Sequence, residues 1–304
     1  MAVVQPALKL IALLPPCLPR WNQQELNFTD VVYYRSMYIN HRPQQIMVHC
    51  SPCPFSGPYV HLLEGINFTF VPTKFPKSIL GQPILIPHHS TDVVRLLALM
   101  KYGGVYLDHD VFVVRSLRPL LRYEAAMFCR DGLIGNMMLF FHKNSRFLRL
   151  FLQTYRYYDG NLWYYNGGYL PDFMVRRNHS HLVRCLPNGL EGDGHMWSVL
   201  YAPHAYADWR NMYAIHTIEK WRDSASYDPL PPYVGFSETN IRDLNNAFGE
   251  LSRSVLFGTS DFVPPDVPIL SVAELAAKKD RGEDLTHVSP QSANSKVFWL
   301  SPPK

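Results

Sequence analysis

Asp108 and Asp110 stand one residue apart, directly after the apolar run Val105-Tyr106-Leu107. On an extended chain alternate side chains share a face, so the two carboxylates would point the same way. Two negative charges beside an apolar strand repel each other, and a cation between them relieves that repulsion. Hard oxygen donors of this kind select Mg2+ or Mn2+, ions that keep open positions for a diphosphate. A solvated turn at a strand end is the alternative reading of the same residues. On its own the Asp-x-Asp is a weak signal; its position strengthens the metal reading, because strand-end carboxylates in an open α/β sheet lie where ligands bind.

Further residues have the right types. Asp92 and Arg95 are one helical turn apart on a common face, the spacing of an ordinary ion pair. His216, in Tyr213-Ala-Ile-His-Thr-Ile-Glu-Lys-Trp221, is a chemically reasonable third ligand for the same ion, or a hydrogen-bonded core histidine. The aromatic run Trp163-Tyr164-Tyr165 can stack on a sugar ring or pack in the core. The cysteines are Cys17, Cys50, Cys53, Cys129 and Cys185. Cys50 and Cys53 form a CxxC with no second pair at metal spacing, so thiols, or one or two disulfides in a secreted protein, are favoured over zinc.

The elements that must position these groups read as an alternation of helix and strand. Ser90 or Thr91 can cap a helix with Asp92 in its first turn. Val93, Val94, Leu96, Leu97, Leu99 and Met100 give that helix an apolar face, and Gly103-Gly104 ends it. Val105-Leu107 is a buried type of strand, and the apolar run resumes at Val111-Val114. Phe28–Asn40 has helical spacing, Gln45–His49 and Asn67–Val71 read as strands, and Leu133–Phe141 as a buried strand. Ser145–Tyr158 and Thr239–Val255 are amphipathic helices. Leu10–Leu14 is a strand or a weak signal-peptide core. After Gly258 proline punctuates a polar stretch, which predicts a disordered tail with a short helix at Val272–Lys279.

The 304 residues are 47% apolar and only 18% charged, which excludes a disordered or collagen-like chain. A net charge of +4 without a basic block argues against nucleic-acid binding. No apolar run reaches 18 residues, so no membrane-spanning helix is expected. Three sequons, at Asn27, Asn67 and Asn178, lean toward the secretory route. No P-loop, Gly-x-Ser-x-Gly elbow or Gly-x-Gly-x-x-Gly is present, which weakens nucleotide hydrolases, serine hydrolases and dinucleotide oxidoreductases.

Together, His89-Ser-Thr-Asp-Val-Val-Arg95 and Leu99-Met-Lys-Tyr-Gly-Gly-Val-Tyr-Leu-Asp-His-Asp110 closely resemble the sugar-binding region of the DXD-motif glycosyltransferases of family 32. These include α-1,4-galactosyltransferase-like and α-1,6-mannosyltransferase-like members, and the look is that of an animal member. The similarity extends through Asn136, Tyr157-Tyr-Asp159, Trp163-Tyr-Tyr-Asn166 and His216, over about Trp21 to Trp221.

The resemblance implies an α/β fold of GT-A type, a Rossmann-like mixed sheet flanked by helices. It implies a retaining, Mn2+-dependent transfer of a hexose from a nucleotide sugar, usually UDP-linked, to a glycan or glycolipid in the Golgi lumen. By position, Asp110 matches the direct metal ligand, and Asp108 the residue shared between ion and donor. Asp92, Arg95, Tyr106 and Gly104 match the donor-binding region. His216 matches the C-terminal histidine near the metal. Asn136 and Asn166 are candidates to shield the reacting carbon.

In the family the first strand reads like Ile-Pro-x-Ile-Val-His-x-x-Trp. Here the matching stretch, Leu10 to Trp21, carries prolines and lacks the histidine. The expected organisation is therefore an altered or truncated segment over 1–20, a GT-A domain over 21–258 and a tail over 259–304. The family's usual membrane anchor is not expected in this chain. The altered first strand also motivates a second reading, a catalytically silent GT-A domain that binds glycans or partners. A two-metal hydrolase would want further His or Asp clusters.

Overall fold

The computed structural model describes residues 9–13, 25–51, 53–54, 56–130, 132–186, 190–191, 200–202, 207–219 and 234–289. Cys17, Trp221, the altered stretch after Leu13 and residues 290–304 lie outside them.

Twelve strands are present among the described residues: β1 (Lys9–Leu13), β2 (Gln45–Cys50), β3 (Phe68–Pro72), β4 (Ser78–Ile79), β5 (Gln82–Pro83), β6 (Gly104–Leu107), β7 (Val111–Val113), β8 (Ala125–Arg130), β9 (Leu133–Phe141), β10 (Arg184–Cys185), β11 (Leu190–Glu191) and β12 (Ala214–His216). Seven form the main sheet, in the order β10-β8-β9-β6-β1-β2-β3. The β1, β2, β3 and β6 block is parallel, while β9 runs antiparallel to both β6 and β8. A second sheet, β11-β12-β7, carries the chain beyond β6.

Burial explains the central place of β1. Leu10, Ile11 and Ala12 are all fully buried. An uninterrupted apolar run suits a parallel strand covered on both faces. Residues 9–13 thus supply the strand between β2 and β6, within the stretch 1–20 expected to be altered. Gly104 makes the β1–β6 pairing possible. Its φ is +103°, and a Cβ there would lie 2.4 Å from the Lys9 carbonyl oxygen. Only glycine tolerates both conditions.

The helices cover both faces. Leu10, Ala12, Ile46, Val48, Val105 and Leu107 pack on the side of α1 (Phe28–His41) and α4 (Ala247–Leu256). Ile11, Tyr106, Leu139 and Phe141 pack on the side of α2 (Pro87–Tyr102) and α3 (Arg146–Thr154). From β1 the sheet grows one way toward β2 and the other way toward β6. The switch point therefore lies between β1 and β6, and crevices outside the carboxyl ends of such strands bind ligands.

Several expectations need correction. α2 begins at Pro87, not at Ser90 or Thr91, because proline suits the first helical position. The Ser90 and Thr91 hydroxyls instead donate back to the Pro87 and His88 carbonyls. Asp92 is consequently beyond the first turn, and Leu97 is exposed rather than part of the apolar face. The last long helix is shorter than its periodicity predicts: turns occupy 238–243, and α4 starts only after the Asn246 cap.

The stretch after Gly258 is no loose tail through residue 289. A helix, α5 (Val272–Asp280), opens with a Ser271–Glu274 capping box and buries Val272 and Leu275. The buried Arg35 guanidinium donates to Val255 O at 2.8 Å, to Leu62 O at 2.6 Å and to Leu270 O. That ties α1 to the segment before α5. No described helix is long and apolar enough to cross a membrane.

Candidate active site

The Asp108-His109-Asp110 segment is a turn, not an extended strand. Val111 N donates to Asp108 O at 3.2 Å as the chain leaves β6 for β7. Asp108 N is fixed by Met137 O of β9 at 2.9 Å. The two carboxylates still converge. Ligand atoms of Asp108, Asp110 and His216 all lie within 4.8 Å of one another. The turn sits immediately past the carboxyl end of β6, at the switch point.

β12 delivers the histidine. It pairs antiparallel with β7, setting His216 opposite Val111. His216 Nε2 lies 3.0 Å from Asp110 Oδ1. Thr217 reinforces the register, since its N–H and hydroxyl both donate to Asp110 O, at 3.0 and 2.8 Å. The Tyr33 hydroxyl, on α1, shares a hydrogen bond of 2.7 Å with the Thr217 hydroxyl.

α2 delivers the second half. Arg95 Nη2 is 3.0 Å from Asp92 Oδ1, and Nη1 is 3.0 Å from Asp108 Oδ1. Nη1 also donates to Asn136 O at 2.7 Å. The guanidinium carbon lies 4.6 Å from the centroid of the Tyr106 ring. Tyr106 and Asp108 are two residues apart, and the Tyr106 hydroxyl donates to Asp108 Oδ1. Asn136 Nδ2 reaches Asp92 Oδ1 at 3.0 Å. The resulting cluster is partly open: the Asp108 side chain is 22% exposed, against 8% for Arg95.

Electrostatics follow from this packing. Burial opposes the Arg95 charge, but Asp108, Tyr106 and Asp92 outweigh it and hold the guanidinium above its ordinary range. Burial also raises the Asp110 carboxyl, yet His216 and His109 win and keep it below the usual carboxylate range. Asp92 goes the other way, because burial exceeds the help from Arg95. Two carboxylates and an imidazole form a hard to borderline donor set that fits Mn2+ or Mg2+.

Not every residue named from the sequence joins this cluster. Asn166 is fully buried, and its amide serves a loop: Oδ1 accepts from Asp159 N at 2.9 Å, and Nδ2 donates to Asp159 O at 2.7 Å. Gly104 is four residues before Asp108, about 13 Å along an extended strand, and meets Lys9 rather than the acids. Conversely, the sequence gives no role to Thr217 or Gly167, and it presents Tyr164 only as one ring of an aromatic run. The Tyr164 hydroxyl donates to Ile134 O and accepts from Asn136 N. A Cβ on Gly167 would lie 2.4 Å from Asn136 Nδ2. Gly167-Gly168 after Asn166 was the only available signal.

The CxxC thiols are joined, Cys50 to Cys53, and Cys129 is joined to Cys185. Trp163 is 53% exposed, so it is not a core residue.

Residues 66–127 match the family model for the glycosyltransferase sugar-binding region containing DXD motif. That segment includes α2, β6 and the acidic turn. The chain is similar to Glucan organizing enzyme 1 of Cryptococcus neoformans var. grubii, 31% identical over 174 residues, covering 54% of this chain and 47% of that protein. It is also similar to lactosylceramide 4-alpha-galactosyltransferase of Rattus norvegicus, 30% identical over 96 residues, covering 31% of this chain and 25% of that protein. The chain thus spans less than half the length of these curated relatives. Among solved structures, galactosyltransferase LgtC in complex with donor and acceptor sugar analogs aligns over 95% of this chain and 100% of that one, at a TM-score of 0.42 and 14% identity.

Proposed function

We propose that the protein is a retaining glycosyltransferase of GT-A type that moves a hexose from a UDP-sugar to a glycan or glycolipid. The observation that carries this reading is the convergence of Asp108, Asp110 and His216 at the switch point of the sheet, within and beside the segment that matches a DXD sugar-binding region.

Asp108, Asp110 and His216 would hold a divalent ion, Mn2+ or Mg2+. When bound, such an ion supplies Lewis-acid stabilisation of diphosphate charge. Arg95 adds a buried positive charge beside Asp108, already oriented before substrate arrives. Asp92, fixed by Arg95 and Asn136, is positioned to accept hydrogen bonds from hydroxyls of the donor sugar. In the reaction the bond from the anomeric carbon to the diphosphate oxygen breaks, and its electron pair leaves with the diphosphate. The acceptor oxygen forms the new bond on the same face, and its proton passes to the departing phosphate oxygen. Tyr106 keeps the carboxylate of Asp108 aimed through its hydroxyl. The two disulfides support an oxidising compartment such as the Golgi lumen.

The test is purified protein with Mn2+ and UDP-Gal, UDP-GalNAc, UDP-Glc, UDP-GlcNAc or GDP-Man. Metal-dependent binding and hydrolysis of one donor is expected, with loss in Asp110→Ala. If no donor binds and Asp110→Ala changes nothing, the reading fails. Donor and metal binding without transfer to any acceptor would identify the silent domain instead.

A further inference from the structure

Gly167, just past the loop 159–166, abuts Asp92 and Asn136. The loop, with Tyr157 and residues 82–85, also forms an open cleft of about 560 Å3, lined by Gln82, Leu85, Tyr157, Asp159, Asn161 and Tyr165. Small-molecule sites commonly occupy about 300–1,000 Å3.

The chemistry of the lining selects among ligands. Tyr157, 62% exposed, and Tyr165 bring aromatic rings. Such rings accept the C–H face of a pyranose, while planar amides and carboxylates pair with vicinal hydroxyls. Gln82, Asp159 and Asn161 supply those planar groups. The Asp159 carboxylate takes its described hydrogen bonds at Oδ1 alone, from Asn161 N at 2.8 Å and Asn161 Nδ2 at 3.1 Å. The lining contains no Lys or Arg. A phosphate or an acidic sugar would face Asp159 without a compensating cation, so a neutral ligand is favoured.

The cleft is also held in shape. Asn166 closes the loop on both backbone groups of Asp159. The Tyr158 hydroxyl accepts from Leu85 N at 3.3 Å and bonds His89 Nδ1 at 2.8 Å, joining the loop to α2. A cleft that needs no ordering binds weak polar ligands at lower entropic cost.

We propose that this cleft is a subsite for a neutral oligosaccharide, holding sugar units of the acceptor remote from the one that is modified. The acceptor role rests on the glycosyltransferase reading above, whereas oligosaccharide binding does not. The test therefore has two arms. In the first, saturation-transfer NMR follows lactose, maltotetraose and mannotetraose on the full chain without metal or nucleotide. At least one should bind, and Tyr157→Ala and Gln82→Ala, both at exposed positions, should weaken it about ten-fold while melting temperature is unchanged. In the second, the same variants should raise the acceptor KM about ten-fold, with kcat and donor hydrolysis within two-fold of the parent.

Failure of all three sugars to bind, or equal binding by the variants, overturns the subsite. Retention on neutral phosphatidylcholine vesicles, lost in Tyr157→Ala and without sugar binding, also overturns it and makes the face a membrane contact. Sugar binding with no transfer under any donor would leave the cleft standing and remove its acceptor role.

Discussion

Arg95 on α2 lies 3.0 Å from Asp108 at the end of β6, and the same guanidinium lies 3.0 Å from Asp92 one turn earlier on its helix. One planar fork thus locks the helix to the acidic turn. A lysine has a single point charge and cannot reach Asp92, Asp108 and Asn136 O together. Arg95→Lys should therefore cost activity about 100-fold while leaving much of the fold intact. Arg95→Ala should also destabilise by about 3–5 kcal/mol, because it leaves carboxylates unpaired in a largely buried site. Donor turnover and chemical denaturation measure the two effects. Unchanged turnover in Arg95→Lys would show that the bridge is structural only.

The metal prediction separates ligand from neighbour. Asp110→Asn and His216→Ala should each lower Mn2+ affinity by more than ~100-fold, exceeding the ~10–100-fold expected for groups that only orient ligands. Thr217→Val should fall within that smaller range, since Thr217 acts through Asp110 O. Electron paramagnetic resonance of free Mn2+ during titration gives all three constants. Equal losses for all three would remove the ligand assignment.

The sheet and the acidic turn were readable from sequence because local rules agree there. The glycine pair at 103–104, the apolar run 105–107 and the acids at 108 and 110 state a helix end, a strand and its polar terminus in order. The place of β1 was harder, because Leu10–Leu14 is short and its neighbours are prolines. Only pairing with Gln45–Cys50 on one side and Gly104–Leu107 on the other identifies it as central. His216 could be named but not placed, since its approach to Asp110 depends on β12 pairing with β7, about 100 residues away in sequence. Proline misled the reading of 259–289. There Arg35 of α1 and Arg42, the residue that caps its C-terminal end, donate to the Leu270 and Ala276 carbonyls, long-range ties that local sequence does not announce. Asn166, a candidate from the resemblance to shield the reacting carbon, has its amide engaged with both backbone groups of Asp159, a local closure that residue type alone does not announce.

The Cys129–Cys185 bond joins β8 to β10 across a sequence separation of 56. Loop-closure entropy for that length gives an ideal stabilisation of about 4 kcal/mol. The double variant Cys129→Ala/Cys185→Ala should therefore lower unfolding free energy by about 2–4 kcal/mol and make stability insensitive to reductant at this bond. Urea denaturation with and without dithiothreitol measures it. A variant as stable as the parent would mean that the bond does not constrain the unfolded chain.

His41 gives a pH-dependent prediction at a distance from the acidic site. It lies at the end of α1, nearly fully buried, and its Nδ1 accepts from Leu117 N at 3.1 Å. Burial, with Arg118 nearby, pushes its pKa from 6.5 down to about 3. The folded state therefore disfavours the proton that the unfolded chain takes up below about pH 6.5. His41 contributes its full stability above that pH, and the contribution fades as pH falls from about 6.5 toward about 3. His41→Asn retains an acceptor for Leu117 N without a group that titrates in this range. Its unfolding free energy should be lower than the parent's at pH 8 through lost packing, but it should fall less steeply between pH 6.5 and 4. Urea denaturation at half-unit intervals gives both slopes. Parallel slopes would show that the imidazole is not held neutral by the fold.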